Sequence, residues 1–303
     1  MAIVGCDSYD NLPEPNNEDV YKYYDTSNGL ASNTVYSLFE DNQGNIWIGT
    51  SSGISVFNGS SIINFSSPDI IDGEIIAIGQ DFNGYIWVAN ENGYSFYDGQ
   101  DWFTEYSFGI ISFHLDNFNN FWIGTSSNGL LRYNSSEIVF IFGNTCDFCL
   151  YVTDIVSDAD GTIWYTTLGG LGHVLPNESV DWIDSSSGIP SDFLISISYI
   201  NDWNQLYVGD FNSGIMSSLR MGEFEFINLP VGDQTIWQMS SNLEGLYIAT
   251  EGALLFYDGV VIRSVSTPKN DTSFYSVLVD SNQNVWIGTG NNGVIKLTPS
   301  NTL

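Results

Sequence analysis

Short apolar runs of four to six residues alternate along most of the chain with polar stretches rich in Asn, Asp, Gly and Ser. The runs recur in order. An early unit reads Val35-Tyr-Ser-Leu-Phe-Glu-Asp-Asn-Gln-Gly-Asn-Ile-Trp-Ile-Gly-Thr-Ser-Ser-Gly-Ile-Ser-Val-Phe-Asn58. The last reads Phe274-Tyr-Ser-Val-Leu-Val-Asp-Ser-Asn-Gln-Asn-Val-Trp-Ile-Gly-Thr-Gly-Asn-Asn-Gly-Val-Ile-Lys-Leu297. One aromatic marks each copy: Trp47, Trp87, Trp122, Trp164, Tyr207, Tyr247 and Trp286, at intervals of 40, 35, 42, 43, 40 and 39 residues. An Asp stands six positions earlier in five copies (Asp41, Asp81, Asp116, Asp158, Asp280), while the fifth and sixth copies have Asn201 and Ser241 there.

Each unit predicts four short strands. Strand a is Val35–Phe39 and strand b Ile46–Thr50, joined by a turn whose Asn, Gln and Gly are hairpin residues. A second turn ends in Gly53, Gly93, Gly129, Gly170, Gly214, Gly252 or Gly293 and leads into strand c, such as Ile54–Phe57. Strand d is a looser aromatic segment, such as Ile62–Phe65, Asp101–Tyr106 or Val180–Ile183. Ile46-Trp47-Ile48 is continuously apolar, as expected of a strand covered on both faces. Four strands per period of about 40 residues predict an all-β fold, a seven-bladed β-propeller. The last unit stops after strand c, and Val20–Tyr24 reads as a lone strand d, so the N-terminal strand is expected to close the last blade. The domain then spans 20–300, behind a leader at 1–19. A solenoid would need a cap at each end, and none is visible.

Composition agrees: aromatics make up 15%, with 30 Gly and 8 Pro. Six basic residues face 36 acidic ones, a formal net charge of −30, which suits solubility and repels nucleic acid and polyanions. No apolar stretch approaches the roughly 20 residues of a membrane helix. Ile3-Val4-Gly5-Cys6 resembles a bacterial lipobox ahead of a polar leader, so Cys6 is expected to carry lipid, as the only membrane attachment. Asp7 and Asp10 resemble the acidic signals of surface lipoproteins. Cys146 and Cys149 are then left as a pair, read as a small disulfide loop. Half a zinc site or a redox motif are the other readings, but no second Cys or His pair and no βαβ context supports them.

Ser27-Asn-Gly-Leu-Ala-Ser-Asn-Thr-Val-Tyr-Ser-Leu38, Ile46-Trp-Ile-Gly-Thr50, Ser187-Gly-Ile-Pro-Ser-Asp192 and Asn284-Val-Trp-Ile-Gly-Thr289 resemble the two-component regulator propeller repeat. The resemblance covers roughly residues 20–297 and is weaker in the fifth and sixth units. It implies a relative of the periplasmic sensor propellers of bacterial hybrid two-component systems, which recognise glycan fragments. Single propellers of this kind also occur as exported lipoproteins. The expectation is therefore a non-catalytic binding propeller of the cell envelope, an outer membrane lipoprotein. Its partner would be a glycan fragment or small ligand, or else a protein, with the propeller as a platform in an envelope assembly.

Candidate chemistry is sparse. His114 falls in the column of Phe39 and Gly79, and His173 begins strand c of the fourth unit. Streptogramin B lyases are similar propellers whose site draws on His and acidic residues of later blades, and the last three units here contain no His. Asp158-Ala-Asp160-Gly161 could open a calcium loop, but a tight hairpin needs the same residue types. No metal or cofactor is expected. The loops between strands d and a, and b and c, vary most and should form the binding face. Its expected channel-mouth residues are Asn33, Glu74, Tyr151, Asp192, Asp233 and Asp271, with Trp237 just inside. Trp237 is read in the column of Ser37, Ala77, Ser112 and Ser276, a large ring where other units are small. Ile70-Ile71 and Phe108-Gly-Ile-Ile111 suggest either an apolar patch or buried strand starts.

Overall fold

A computed structural model describes residues 20–134, 137–141, 146–211, 213–220, 223–230, 234–267, 269 and 271–298. Cys6 and Asp233 lie outside the described residues.

Seven antiparallel sheets of four strands each stand in a ring. In blade 1, strands a to d are Val35–Glu40, Ile46–Thr50, Gly53–Phe57 and Ile62–Phe65. The other a strands are Ala77–Gln80, Ile110–Leu115, Val152–Ser157, Leu194–Ile200, Ile236–Ser241 and Phe274–Val279. Each a strand packs on the next, and blade 7 packs on blade 1. Blade 7 takes its outermost strand from the N-terminal side: Val20–Tyr24 pairs antiparallel with Val294–Thr298, Tyr24 opposite Val294. Tyr24 then stacks on Trp286, ring centroids 5.7 Å apart, and reaches Phe57 of blade 1 at 5.0 Å. A Cβ on Gly288 would come within 2.7 Å of Val35 Cγ1, so the bare backbone there lets the first and last blades meet.

The repeated Asp is a clasp. Asp41 Oδ1 accepts the backbone N–H groups of Gln43 and Asn45, and Oδ2 accepts Trp47 Nε1–H at 2.8 Å. The same bond from strand-b Trp to turn Asp recurs in Asp81–Trp87, Asp116–Trp122, Asp158–Trp164 and Asp280–Trp286. Blades 5 and 6, which lack the Asp, carry Tyr207 and Tyr247 in place of Trp. The indole donor and its carboxylate are thus lost together. Asp158 is consumed in this way, with Asp160 and Thr162 N–H groups on its other oxygen, so the segment is a turn. Asp280→Ala strands an indole and buried amide donors, and should cost about 3 kcal/mol in urea unfolding. A loss below about 0.5 kcal/mol would mean that the clasp is ornamental.

Trp237 is not in the column of Ser37. Blade 6 has four residues between its paired strands a and b (Ser241 opposite Leu246), where blade 1 has five (Glu40 opposite Ile46). Counting back from the aromatic therefore slips by one. Gln238 occupies the small column, and Trp237 aligns with Tyr36 and Tyr275. For the same reason Asn242, not Ser241, is the turn acceptor of blade 6, taking the N–H groups of Glu244 and Gly245.

Candidate functional site

In six of the seven a strands the register shifts at the second residue, a β-bulge that leaves one residue unpaired. The bulged residues are Tyr36, Ile111, Thr153, Ile195, Trp237 and Tyr275, with Ile76 at the corresponding place in blade 2. All seven line a central cavity of about 150 Å³. Deeper in the same cavity stand Ser37, Ala77, Ser112, Asp154 and Gln238.

The wall is asymmetric. Tyr36 and Tyr275 stack at 5.7 Å with planes 11° apart, and Trp237 meets Tyr275 edge-on at 5.8 Å. Blades 6, 7 and 1 thus present a continuous aromatic wall. Phe211, in the b–c turn of blade 5, extends it outward, 6.4 Å from Trp237. Blade 4, across the ring, contributes Asp154. Its Oδ1 accepts the Ile155 N–H and its Oδ2 the Ile197 N–H of blade 5, at 2.9 and 3.0 Å. Burial pushes this carboxyl up to about 7, against the pull of those two donors. None of the six Lys and Arg residues lines the cavity.

The residues expected from the sequence separate into groups. Trp237 lines the cavity, half-buried, with its Nε1–H lacking a hydrogen-bond partner. Glu74 is exposed in the loop before blade 2, with its carboxylate near the Tyr36 hydroxyl; burial, then Glu74, pushes that phenol up. Tyr151 donates to Glu91 Oε1 at 3.1 Å, and burial, then Glu91, raises it to about 12. Asn33 and Asp192 staple their own loops: Asn33 Oδ1 accepts the Thr26 N–H, and Asp192 Oδ1 the Ser185 N–H. Asp271 bonds Asn292 of the blade 7 b–c turn and faces Tyr23 on the outer strand, over blade 7 and off the cavity wall. Ile70 and Ile71 are buried in the loop before blade 2 and Ile110 at the start of the blade 3 a strand, while Ile111 turns into the channel.

Tyr36, Tyr275, Asp154, Glu91 and Phe211 are missing from the sequence-derived set. The signal for the two tyrosines was present, because Val35-Tyr-Ser-Leu and Phe274-Tyr-Ser-Val are the same segment twice. Strand alternation hides their direction, since a bulge breaks it.

Cys146 and Cys149 form a disulfide across a 3-10 turn, Asp147–Leu150, with Cα atoms 5.1 Å apart. The sulfurs lie over Gly169, where a Cβ would come within 2.7 Å of Cys146 Sγ. This loop presents Phe148, 59% exposed, against Phe193 at 6.2 Å, and Phe193 in turn accepts a backbone bond from Phe211. With Leu150 they form an exposed apolar apron beside the mouth.

The two histidines stay apart from the cavity. His114 Nε2 bonds Ser157 Oγ at 2.9 Å between blades 3 and 4, and burial lowers it to about 4. His173 stacks on Trp164 at 4.4 Å, and burial lowers it too. No cluster of metal-ligating side chains occurs among the described residues, and no helix there is long and apolar enough to cross a membrane.

Ring, closure and bulged inner strands define a seven-bladed β-propeller. The model of the two component regulator propeller matches it at residues 29–52 and 268–291. Among curated proteins nothing matches the chain. Solved structures similar to it include the extracellular domain of a hybrid two component system from B. thetaiotaomicron, at 20% identity and TM-score 0.78. That match covers 92% of this chain but 41% of the other, so the chain spans about two-fifths of the sensor domain's length. Virginiamycin B lyase from Staphylococcus aureus, in a catalytically inactive form with quinupristin, is similar at 13% identity and TM-score 0.77, covering 93% and 99%. PorZ, a surface component of the type-IX secretion system of Porphyromonas gingivalis, is similar at 13% and 0.70, covering 92% of this chain and 48% of PorZ.

Proposed function

We propose that this protein is an exported, non-catalytic binding propeller that takes a small ligand, a glycan fragment, at the loop-face mouth of its channel. The observation that carries this reading is the aromatic wall of Tyr36, Tyr275 and Trp237 opening on a preformed cavity. Aromatic faces stack on the C–H faces of sugar rings, and Glu74 beside them can accept hydroxyl hydrogen bonds. The similarity to sensor extracellular domains supports both export and binding, and lipid on Cys6 would hold the propeller at the outer membrane.

Catalysis is disfavoured by the chemistry of the mouth. The similar lyase is an enzyme, but here neither histidine lines the cavity, both are lowered by burial, and among the described residues no Lys or Arg lines it to bind or balance a substrate. Among the described residues Asp154 is the only carboxyl lining the cavity, and no His, Lys or Arg lines it to complete an acid–base pair.

Calorimetry against a panel of neutral oligosaccharides tests the reading. Trp237→Ala and Tyr275→Ala should each weaken the best binder at least about tenfold, since a stacked ring is worth about 1–2 kcal/mol. Binding that survives both changes would move the site elsewhere.

The exposed Phe148, Leu150, Phe193 and Phe211 favour a second reading, a protein partner docked on the apron, as at interface cores rich in aromatics. PorZ offers a surface component of a secretion system as precedent for the fold. Phe148→Ser with Phe193→Ser would then abolish a stoichiometric envelope partner while leaving oligosaccharide binding intact.

A further inference from the structure

We infer that the channel cavity selects a ligand carrying a cationic ammonium group, held between the aromatic wall of Tyr36, Tyr275 and Trp237 and the Asp154 carboxylate opposite. The inference rests on the binding reading above and names the chemistry of the group that enters the channel.

Position comes first. In a ring of seven, blade 4 stands opposite blades 7 and 1, so Asp154 faces Tyr275 and Tyr36 across the cavity all of them line. A guest between them has the aromatic rings on one side and a carboxyl group on the other. Both favour positive charge: the rings through the negative potential of their π systems, the carboxyl by ionising, which a cation beside it promotes. Ile76, Ile111 and Ile195 complete the wall. A volume of about 150 Å³ admits a guest about the size of benzene, a head group rather than a chain.

Charge also argues against the other signs. With a net charge of −30 and no Lys or Arg on the cavity wall, an anion meets no partner. The surrounding field draws cations towards the mouth.

Asp154 itself is anomalous in its column. The equivalent places hold Ser37, Ala77, Ser112, Ser196 and Ser276, and in blade 6 Gln238, whose Oε1 accepts the Val277 N–H of the next blade. Gln238 shows that a neutral side chain can serve the backbone bond that Asp154 makes to Ile197. The blade-to-blade contact therefore does not require an acid. Burial resists ionisation there, so the carboxyl is maintained at a cost to the fold, as ionisable groups at binding sites commonly are.

Choline and its uncharged isostere 3,3-dimethyl-1-butanol provide the test, by calorimetry in matched sodium chloride so that general counter-ion binding cancels. Choline should bind at least tenfold more tightly. Asp154→Asn should remove most of that preference, and Tyr275→Leu should weaken choline further than the alcohol. Glucosamine should likewise exceed N-acetylglucosamine. Equal binding within each pair, or a choline affinity indifferent to Asp154→Asn in a variant with native circular dichroism, would overturn the inference. If neutral oligosaccharides bind through Trp237 without any such preference, the ammonium assignment falls and the binding reading stands. If no ligand of either kind binds, both fall.

Discussion

A chain beginning at Asp25, without the strand Val20–Tyr24, should melt at least about 10 °C lower than the full propeller and associate with concentration. Two costs combine. The five-residue ladder to Val294–Thr298 is lost, at about 0.5–1.5 kcal/mol per hydrogen bond. Half-buried Tyr21, Tyr23 and Tyr24 leave the seam, where Tyr24 joins Trp286 to Phe57 of the neighbouring blade. Together these come to roughly 5 kcal/mol, comparable with the whole stability of many domains. The effect is not local, because in a closed ring each blade packs on two neighbours and an open ring frays from both ends. The bare Val294–Thr298 edge is also a template for another chain. Thermal melting with sedimentation velocity measures both effects. An unchanged melt and a clean monomer would show that closure depends on side-chain packing alone. Residues 17–26 added as a peptide should restore the melt, since strand pairing needs no covalent link.

Fold and site differ in how far the sequence discloses them. The fold repeats, and repetition supplies its own controls: seven copies of one aromatic column exposed the blades, and the unfinished last copy exposed the closure. The strand ends within Ile46–Thr50 and Ile62–Phe65 are the ones the pattern predicts. A site is what differs between copies, so the same averaging erases it. Trp237 was visible as an oddity, yet a one-residue difference in the blade 6 turn put it in the wrong column. Tyr36 and Tyr275 looked like ordinary strand residues because a bulge, which no composition marks, decides that they face the channel. Asp154 was lost among 36 acids, and only its place on the channel wall, in a column of small neutral residues, distinguishes it. Conversely Asn33 and Asp192 are polar loop residues of the type that binds ligands, but their oxygens close their own loops.

Asp154→Asn should reverse sign with pH: less stable than the parent below about pH 4.5, and more stable above it. In the unfolded chain this carboxyl titrates near 3.8, and burial raises it to about 7 in the fold. Between those values the unfolded chain has released the proton while the folded chain still holds it. Rising pH therefore favours unfolding across that window, and the contribution levels off above about 7. The gap corresponds to about 4 kcal/mol, an upper figure because the group touches the channel. Asparagine does not titrate. It keeps one acceptor for two amide donors, those of Ile155 and Ile197, and so loses about 1 kcal/mol at every pH. The difference between variant and parent should run from about −1 kcal/mol near pH 3, through zero at about pH 4.5, to about +3 kcal/mol near pH 8. Urea unfolding at half-unit steps reads it directly, because the other carboxylates titrate in both proteins and cancel. A difference constant with pH would mean that Asp154 is ionised throughout and held by its amide donors without strain. A crossing at about pH 4.5, followed by a rise that flattens near pH 7, identifies a carboxyl kept against the interest of the fold, on the wall of the channel that faces the aromatic rings.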